Sequence, residues 1–145
     1  MGVRTKVALV DFPDPYSCLE DSVDILTPET LKRMDWEKIS RTTHVNVCTF
    51  HLLAVSGDIS HATAWLEHQG FWVPDGFSSA NPYVHRDGRL RVYGRWSIRE
   101  NDPKFSQSGL LHILTPFTPY DMNIGSYWSP DGNQLLYVDV SYSYK

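Results

Sequence analysis

Residues 86–99 contain the pattern that decides the fold: Arg-Asp-Gly-Arg-Leu-Arg-Val-Tyr-Gly-Arg-Trp-Ser-Ile-Arg. After Gly88 the residues divide by alternation into an apolar set and an arginine-rich set, as in a β-strand with one buried face. The Asp87-Gly88 pair is typical of a two-residue hairpin turn that needs positive φ angles. The stretch therefore predicts a β-hairpin from Asn81 to Glu100, turned at Asp87-Gly88.

The two faces of this predicted strand differ in chemistry. The apolar face carries Leu90, Val92, Gly94, Trp96 and Ile98. The other face carries Arg89, Arg91, Tyr93, Arg95, Ser97 and Arg99. Five of the eight arginines of the chain lie in residues 86–99, so this density predicts a surface that contacts a partner. The predicted partner-binding residues are Arg89, Arg91, Tyr93, Arg95 and Arg99.

Length and composition indicate one globular domain. The 145 residues are 41% hydrophobic and 13% aromatic, which suits a single core. A formal net charge of −4 argues against a protein that coats nucleic acid over its whole surface. The charge is uneven, because residues 11–30 hold six acids and no Lys or Arg. We predict an acidic N-terminal arm with a short strand, residues 1–26, and an α+β domain, residues 27–145, within a single globular domain overall.

The first half of the chain contains a strand, a helix and a second strand by pattern. Lys6–Phe12 is compatible with a short strand. Thr27-Pro28-Glu29 is typical of a helix start, which predicts a helix from Pro28 to about Lys38. Thr42–Val55 is apolar on both faces of an extended chain and is predicted to be a central strand.

The second half predicts another helix and three more strands. The helix begins at Asp58 or Ser60, buries Ile59, Ala62, Trp65 and Leu66, and ends at Gly70. The additional strands are predicted at Gly109–Thr115, Ile124–Trp128 and Gln134–Tyr144. The expected fold is α+β: a single domain with a largely antiparallel β-sheet and two helices.

Cys18 and Cys48 are the only cysteines and stand 30 residues apart. This spacing indicates neither a disulfide framework nor a zinc site, so we expect two free thiols. Cys48 is predicted to be a buried core residue and Cys18 a reactive thiol in the arm. A reducing, cytoplasmic location follows from this interpretation. We expect no transmembrane segment, because the longest apolar run is interrupted by polar residues.

No motif of useful specificity predicts catalysis, a metal site or a cofactor. Glycine-rich phosphate loops and the common hydrolase signatures do not occur in the sequence. On the predicted strand, His44 and His51 are expected to point to opposite faces, and neither would reach Cys48 as a catalytic base. We therefore predict no catalytic residues, no metal and no cofactor.

The arginine face is compatible with three kinds of acidic partner: nucleic acid, an anionic membrane surface or an acidic protein segment. A solvated charged face without a partner is an equal alternative. A homo-oligomer is also compatible, with the acidic arm of one subunit on the arginine face of another. Phe71 and Trp72, in a short apolar loop, are candidates for an apolar contact, and the alternative is a lid over the core.

The sequence thus predicts a non-enzymatic binding or assembly protein. The competing prediction is a small enzyme with an NTF2-like pocket between sheet and helices. That pocket would use some of the side chains that combine histidine and carboxylate chemistry, which are His44, His85, His112, Asp121 and Asp139.

Two stretches near the end of the chain also resemble a known family. Pro116-Phe117 and Asn123-Ile124-Gly125-Ser126-Tyr127 resemble the last strands of rhabdovirus matrix proteins. The resemblance implies a viral matrix-like structural protein that acts in assembly. The chain departs from that family at its start, where an acidic region replaces the basic tail and the proline-rich motif is absent.

Overall fold

In the described part of the chain, a four-stranded antiparallel sheet with its strands adjacent in chain order packs one face against the helices. The computed structural model describes residues 9–21, 25–27, 31–39, 41–97 and 121–143. The strands and helices are β1 Tyr83–Val84, β2 Leu90–Ser97, β3 Asp121–Trp128, β4 Leu135–Ser143, α1 Thr42–Val55 and α2 Ala62–His68. This arrangement confirms the predicted α+β fold with an antiparallel sheet and two helices.

The inner face of the sheet forms much of the core. Val92 pairs with Ser126 and Trp96 pairs with Met122 across β2 and β3, and all four residues are at most 1% exposed. Gly94, between them, leaves room for Leu66 of α2, whose Cδ1 atom would lie 3.4 Å from an added Cβ. The predicted apolar face of β2 is therefore the face that packs against the helices.

The hairpin between β1 and β2 turns where the sequence predicts, but with a different geometry. The amide of His85 donates to the carbonyl of Arg89, and the amide of Gly88 donates back to His85. Within this hairpin, only Gly88 has a positive φ, of 89°. Because Val84 pairs with Leu90 and the His85 amide with Arg89, the loop consists of the three residues Arg86, Asp87 and Gly88. The predicted two-residue turn is wrong by one residue, because Asp87 keeps an ordinary negative φ.

The segment Thr42–Val55 is helix α1, so the predicted central strand is wrong. Its composition misled the prediction, because threonine, valine and phenylalanine favour strands. Its apolar residues also surround the helix, which removes the alternation that separates the two periodicities. Fourteen residues are more than a typical strand contains, and this length favoured a helix.

The segment before α1 also differs from the prediction. The described residues 31–39 contain no helix. Met34 instead forms a bridge with Leu19 of the arm, and the buried Gln69 side chain accepts from the Met34 amide (2.9 Å) and donates to the Lys32 carbonyl (2.7 Å). Tertiary hydrogen bonds thus replace the helical ones that the local sequence favours.

Cys18 and Cys48 form a disulfide with a Cα–Cα distance of 5.6 Å. The predictions of two free thiols and of a reactive Cys18 are therefore wrong, and both residues are 0% exposed. The prediction failed because it relied on the number and spacing of the cysteines, which do not show that the arm packs beside Cys48. As part of α1, Cys48 lies on a helix face that the arm covers.

Two histidines of α1 hold the arm beside the disulfide. The Nε2 atom of His44 lies 3.2 Å from Asp11 Oδ2, and Nε2 of His51 donates to the Phe12 carbonyl at 2.9 Å. Both histidines lie on the same face of α1 because residues seven apart on a helix are separated by about two full turns, which corrects the prediction of opposite faces. The described end of the predicted strand Lys6–Phe12 is helical at residues 9–11, so that prediction is also wrong there.

The other predicted elements that fall within the described residues agree with the structure. A 3₁₀ turn, Ile59–His61, leads into α2, and the Asp58 side chain accepts from the Ser60 amide at its start. Gly70, with a φ of 96°, follows the helix end. Strands β3 and β4 match two of the predicted strands, whereas predicted strand Gly109–Thr115 lies outside the described residues.

Candidate functional site

The sheet face that points away from the helices carries arginines and aromatic rings side by side. The register pairs Arg91 with Tyr127 on β3 and Tyr127 with Tyr137 on β4, so alternation places all three on the same face. We call this surface the arginine–aromatic face, and it consists of Phe77, Tyr83, His85, Arg89, Arg91, Tyr93, Arg95, Tyr127, Tyr137 and Asp139.

Arg91 lies at the centre of this face among three rings. Its guanidinium carbon is 5.1 Å from the ring centroid of Tyr93, 5.3 Å from Tyr127 and 6.0 Å from Phe77. Its nearest carboxylate oxygen, in Asp139, is 3.9 Å from Nη2, which is too far for a hydrogen bond. Within the described part of the chain, the Nε of Arg91 has no hydrogen-bond partner. Three aromatic rings therefore surround the Arg91 guanidinium, and its closest carboxylate forms a long ion pair with Nη2 rather than a hydrogen bond.

Gly125 makes the position of Arg91 sterically possible. A Cβ at residue 125 would lie 2.9 Å from the Nε and Nη2 atoms of Arg91 and closer still to Asp139 Oδ1. Real Cβ contacts are almost never that short, so both side chains occupy space that only glycine leaves open. The glycine thus allows the guanidinium and the carboxylate to lie directly over the backbone of β3.

Arg89 lies beside Arg91 and has more partners. Its Nε donates to Asp87 Oδ2 at 2.7 Å, and its Nη1 donates to the Tyr137 hydroxyl at 3.1 Å. The guanidinium also lies 5.5 Å from the ring centroid of Tyr127. The bond to Tyr137 raises the pKa of Arg89, and the Arg89 amide is the main cause of a lowered pKa at Asp87.

Arg95 occupies the other end of β2, with its guanidinium 5.6 Å from the ring centroid of Trp72. Its Nε donates to the Tyr93 hydroxyl at 3.4 Å, which raises the pKa of Arg95. The Tyr93 hydroxyl donates in turn to Asn123 Oδ1. Trp72 is 60% exposed, whereas Phe71 is 3% exposed in the core. Of the two residues predicted for apolar contact, Trp72 alone lies on the surface.

Aromatic rings run in an unbroken path across the face. Phe77 stacks on Tyr83 at 5.4 Å, and Tyr83 meets His85 edge-on at 5.0 Å. His85 lies 5.3 Å from Tyr127, which stacks on Tyr137 at 4.3 Å. Tyr83 and Tyr137, one in each stacked pair, are 46% and 41% exposed. Burial raises the pKa of Tyr127, so its phenol stays neutral at physiological pH.

The described part of the acidic arm lies on the side of α1 that faces away from the sheet. Thr42 and Asn46 of α1 hydrogen-bond residues of β4, whereas His44, Cys48 and His51 bind the arm. At 3.6 residues per turn, these two groups point to roughly opposite sides of α1. The layers therefore run from the arginine–aromatic face through the sheet and helices to the arm, whose described acids are Asp11, Asp14, Glu20 and Asp21.

The structure brings together four of the five predicted partner-binding residues. Arg89, Arg91, Tyr93 and Arg95 share the outer face, while Arg99 lies outside the described residues. Tyr127 and Tyr137 were not predicted as site residues. Both lie on predicted strands and alternate with the buried residues Ser126 and Val138, so this alternation could have placed the two rings on the outer face.

The residues of the competing enzyme prediction lie on two sides of the described structure. His44 is bound to Asp11 on the arm side, while His85, Asp121 and Asp139 lie on the outer face. His112 lies outside the described residues. A small cleft, with room for about one water molecule, is lined by other side chains: Leu19, Leu26, Thr27, Leu31, Lys32, Leu52, Val55, Ser56, His61 and Trp65.

In the described residues, histidine, cysteine, aspartate and glutamate side chains do not gather in groups of three or more that could hold a metal ion. None of the helices in those residues is both long enough and apolar enough to cross a membrane. Comparison with protein-family models, curated proteins and solved structures finds no match for this chain. The resemblance to rhabdovirus matrix proteins therefore stays a prediction.

Proposed function

We propose that this chain is a non-enzymatic binding protein that contacts an acidic partner through the arginine–aromatic face. The observation that carries the proposal is the environment of Arg91. Three rings hold its guanidinium at 5.1–6.0 Å, and its closest carboxylate oxygen lies 3.9 Å away. A guanidinium fixed in this way pays little entropy when it binds a phosphate or carboxylate with two hydrogen bonds.

The distribution of charge supports the same function. The chain has a formal net charge of −4, yet its described acidic arm lies on the far side of α1 from the sheet. The described acids of the arm disfavour an acidic partner there, and the arginines of the outer face favour one. This polarity orients the partner on the outer face, where Arg89, Arg91 and Arg95 lie.

The double variant Arg91→Ala/Arg95→Ala tests this function. We expect it to weaken binding at least about tenfold, because two charge-assisted contacts contribute about 1 kcal/mol or more each. If the partner supplies phosphates, the salt dependence should also flatten by about one per lost contact. Binding is measured by fluorescence anisotropy or vesicle co-sedimentation, over a salt series.

Three probes cover the acidic partners: a single-stranded oligonucleotide, phosphatidylserine vesicles and a peptide with the sequence of residues 11–30. The matched control is Arg33→Ala/Arg41→Ala, which removes the same charge from exposed positions on the helix-and-arm side. Wild-type protein that shows no salt-sensitive binding to any probe overturns the proposal. So does equal weakening by the control.

The disulfide, rather than the arginine–aromatic face, bears on the cellular compartment in which this chain folds. The predicted cytoplasmic location rested on two free thiols, and that premise is wrong because Cys18 and Cys48 are bonded. Buried disulfides are typical of proteins that fold in oxidising compartments. We therefore propose that this chain acquires its structure in such a compartment.

A further inference from the structure

We infer that the acidic partner is a single-stranded nucleic acid whose bases stack on the exposed tyrosines of the arginine–aromatic face. This inference rests on the proposed function and narrows it to one class of partner. It depends on bases stacking on the exposed rings of the face, whereas the proposed function depends on the arginines that the rings hold in place.

The rings form two stacked pairs, each with an exposed member. Phe77 and Tyr83 are stacked with an interplanar angle of 8°, and Tyr127 and Tyr137 with an angle of 12°. Tyr83 and Tyr137 are 46% and 41% exposed. A flat base can extend either stack, because stacking on an aromatic side chain needs only an accessible ring face.

The guanidinium groups lie between and above these stacks. Arg91 is 6.0 Å from the Phe77 ring and 5.3 Å from the Tyr127 ring, which places it between the two pairs. Arg89 is 5.5 Å from Tyr127 and 5.7 Å from Tyr137. Stacking surfaces and cations thus alternate across the face, as bases and phosphates alternate along a nucleic-acid strand.

The other acidic partners use less of this surface. A membrane surface would contact the arginines and the exposed Trp72, but it offers no flat ring that extends the two stacked pairs. An acidic peptide would bind the arginines and leave the stacked rings unused. Double-stranded nucleic acid keeps its bases inside the helix, so it offers phosphates but no free base to stack.

The test measures anisotropy of a labelled, mixed-sequence single strand of about ten nucleotides, a length within the usual site size, as DNA and as RNA. The variants Tyr83→Ala and Tyr137→Ala should each weaken binding by about 5- to 100-fold, the range found when a stacking side chain is removed. Tyr137→Phe keeps the ring and removes the hydroxyl that Arg89 contacts, so it should retain most of the binding. The matched duplex should bind at least about tenfold more weakly, because it offers no unstacked base.

Phe50→Ala is the control for loss of an exposed ring, since Phe50 is 36% exposed on α1. Thermal unfolding by circular dichroism checks that each variant is folded. Binding that falls in Arg91→Ala/Arg95→Ala but not in the two tyrosine variants overturns this inference and leaves the proposed function standing. Wild-type protein that binds only the vesicles, or only the peptide of residues 11–30, also overturns this inference and leaves the proposed function standing. Wild-type protein that binds no probe overturns both.

Discussion

Removal of the disulfide by Cys18→Ala/Cys48→Ala is expected to lower the free energy of unfolding by about 3.5 kcal/mol. The bond closes a loop with a sequence separation of 30 residues, and a cross-link of that length restricts the unfolded chain by about this amount. Both cysteines are fully buried, so alanine avoids the further cost of a buried hydroxyl. Urea denaturation with and without reductant measures the change.

Wild-type protein in reductant should match the double variant, and the variant should not respond to reductant. Equal denaturation midpoints for the oxidised wild-type protein and the variant would contradict a stabilising Cys18–Cys48 disulfide. The sheet lies on the other side of α1 from the arm. We therefore expect the folded variant to keep the affinity of the arginine–aromatic face.

Gly125→Val is expected to weaken the binding of the single-stranded oligonucleotide at least about tenfold, the equivalent of 1.4 kcal/mol, without unfolding the protein. A Cβ at residue 125 would meet Arg91 Nε at 2.9 Å, so the guanidinium must leave its position among the rings. The obstructing atoms are the ends of flexible side chains, and valine suits a strand better than glycine, so stability should hold. Anisotropy and thermal unfolding together separate the two effects.

A double-mutant cycle identifies the cause of that loss. If Gly125→Val acts by displacing Arg91, then adding it to Arg91→Ala should cost little further affinity, because both changes remove the same contact. Additive losses would show that Gly125 serves binding through something other than Arg91. A large loss of thermal stability in Gly125→Val would contradict the expectation that the side chains can move aside.

The sequence predicted best where local pattern and tertiary environment agree. Strand β2 was predicted because alternation, an early glycine turn and a one-sided apolar face all favour the same structure, and Val92 and Trp96 are buried as expected. Helix α1 was not predicted, since the apolar residues of Thr42–Val55 are spread around the helix rather than gathered on one face, and periodicity cannot then distinguish helix from strand. The error at α1 carried further errors with it.

Other errors concern residues whose neighbours come from elsewhere in the chain. Cys48 and Cys18 meet because the face of α1 that carries Cys48 packs against the arm. The arginines of the face were predicted from one strand alone, but Tyr127 and Tyr137 join them through the register of three strands. Register depends on long-range pairing, so the sequence revealed the arginines and Tyr93 on β2 but not the rings that β3 and β4 bring beside them.

Nuclear magnetic resonance titration tests the central claim most directly, because it locates the partner on the molecule. The chain is labelled with ¹⁵N and with ¹³C in its aromatic rings, and the single-stranded oligonucleotide is added in steps. We predict that the shifting signals belong to the arginine–aromatic face, with Arg91, Tyr83 and Tyr137 among the largest changes. Signals that shift only on the other side, at Tyr16 of the arm or Phe50 of α1, would contradict the account.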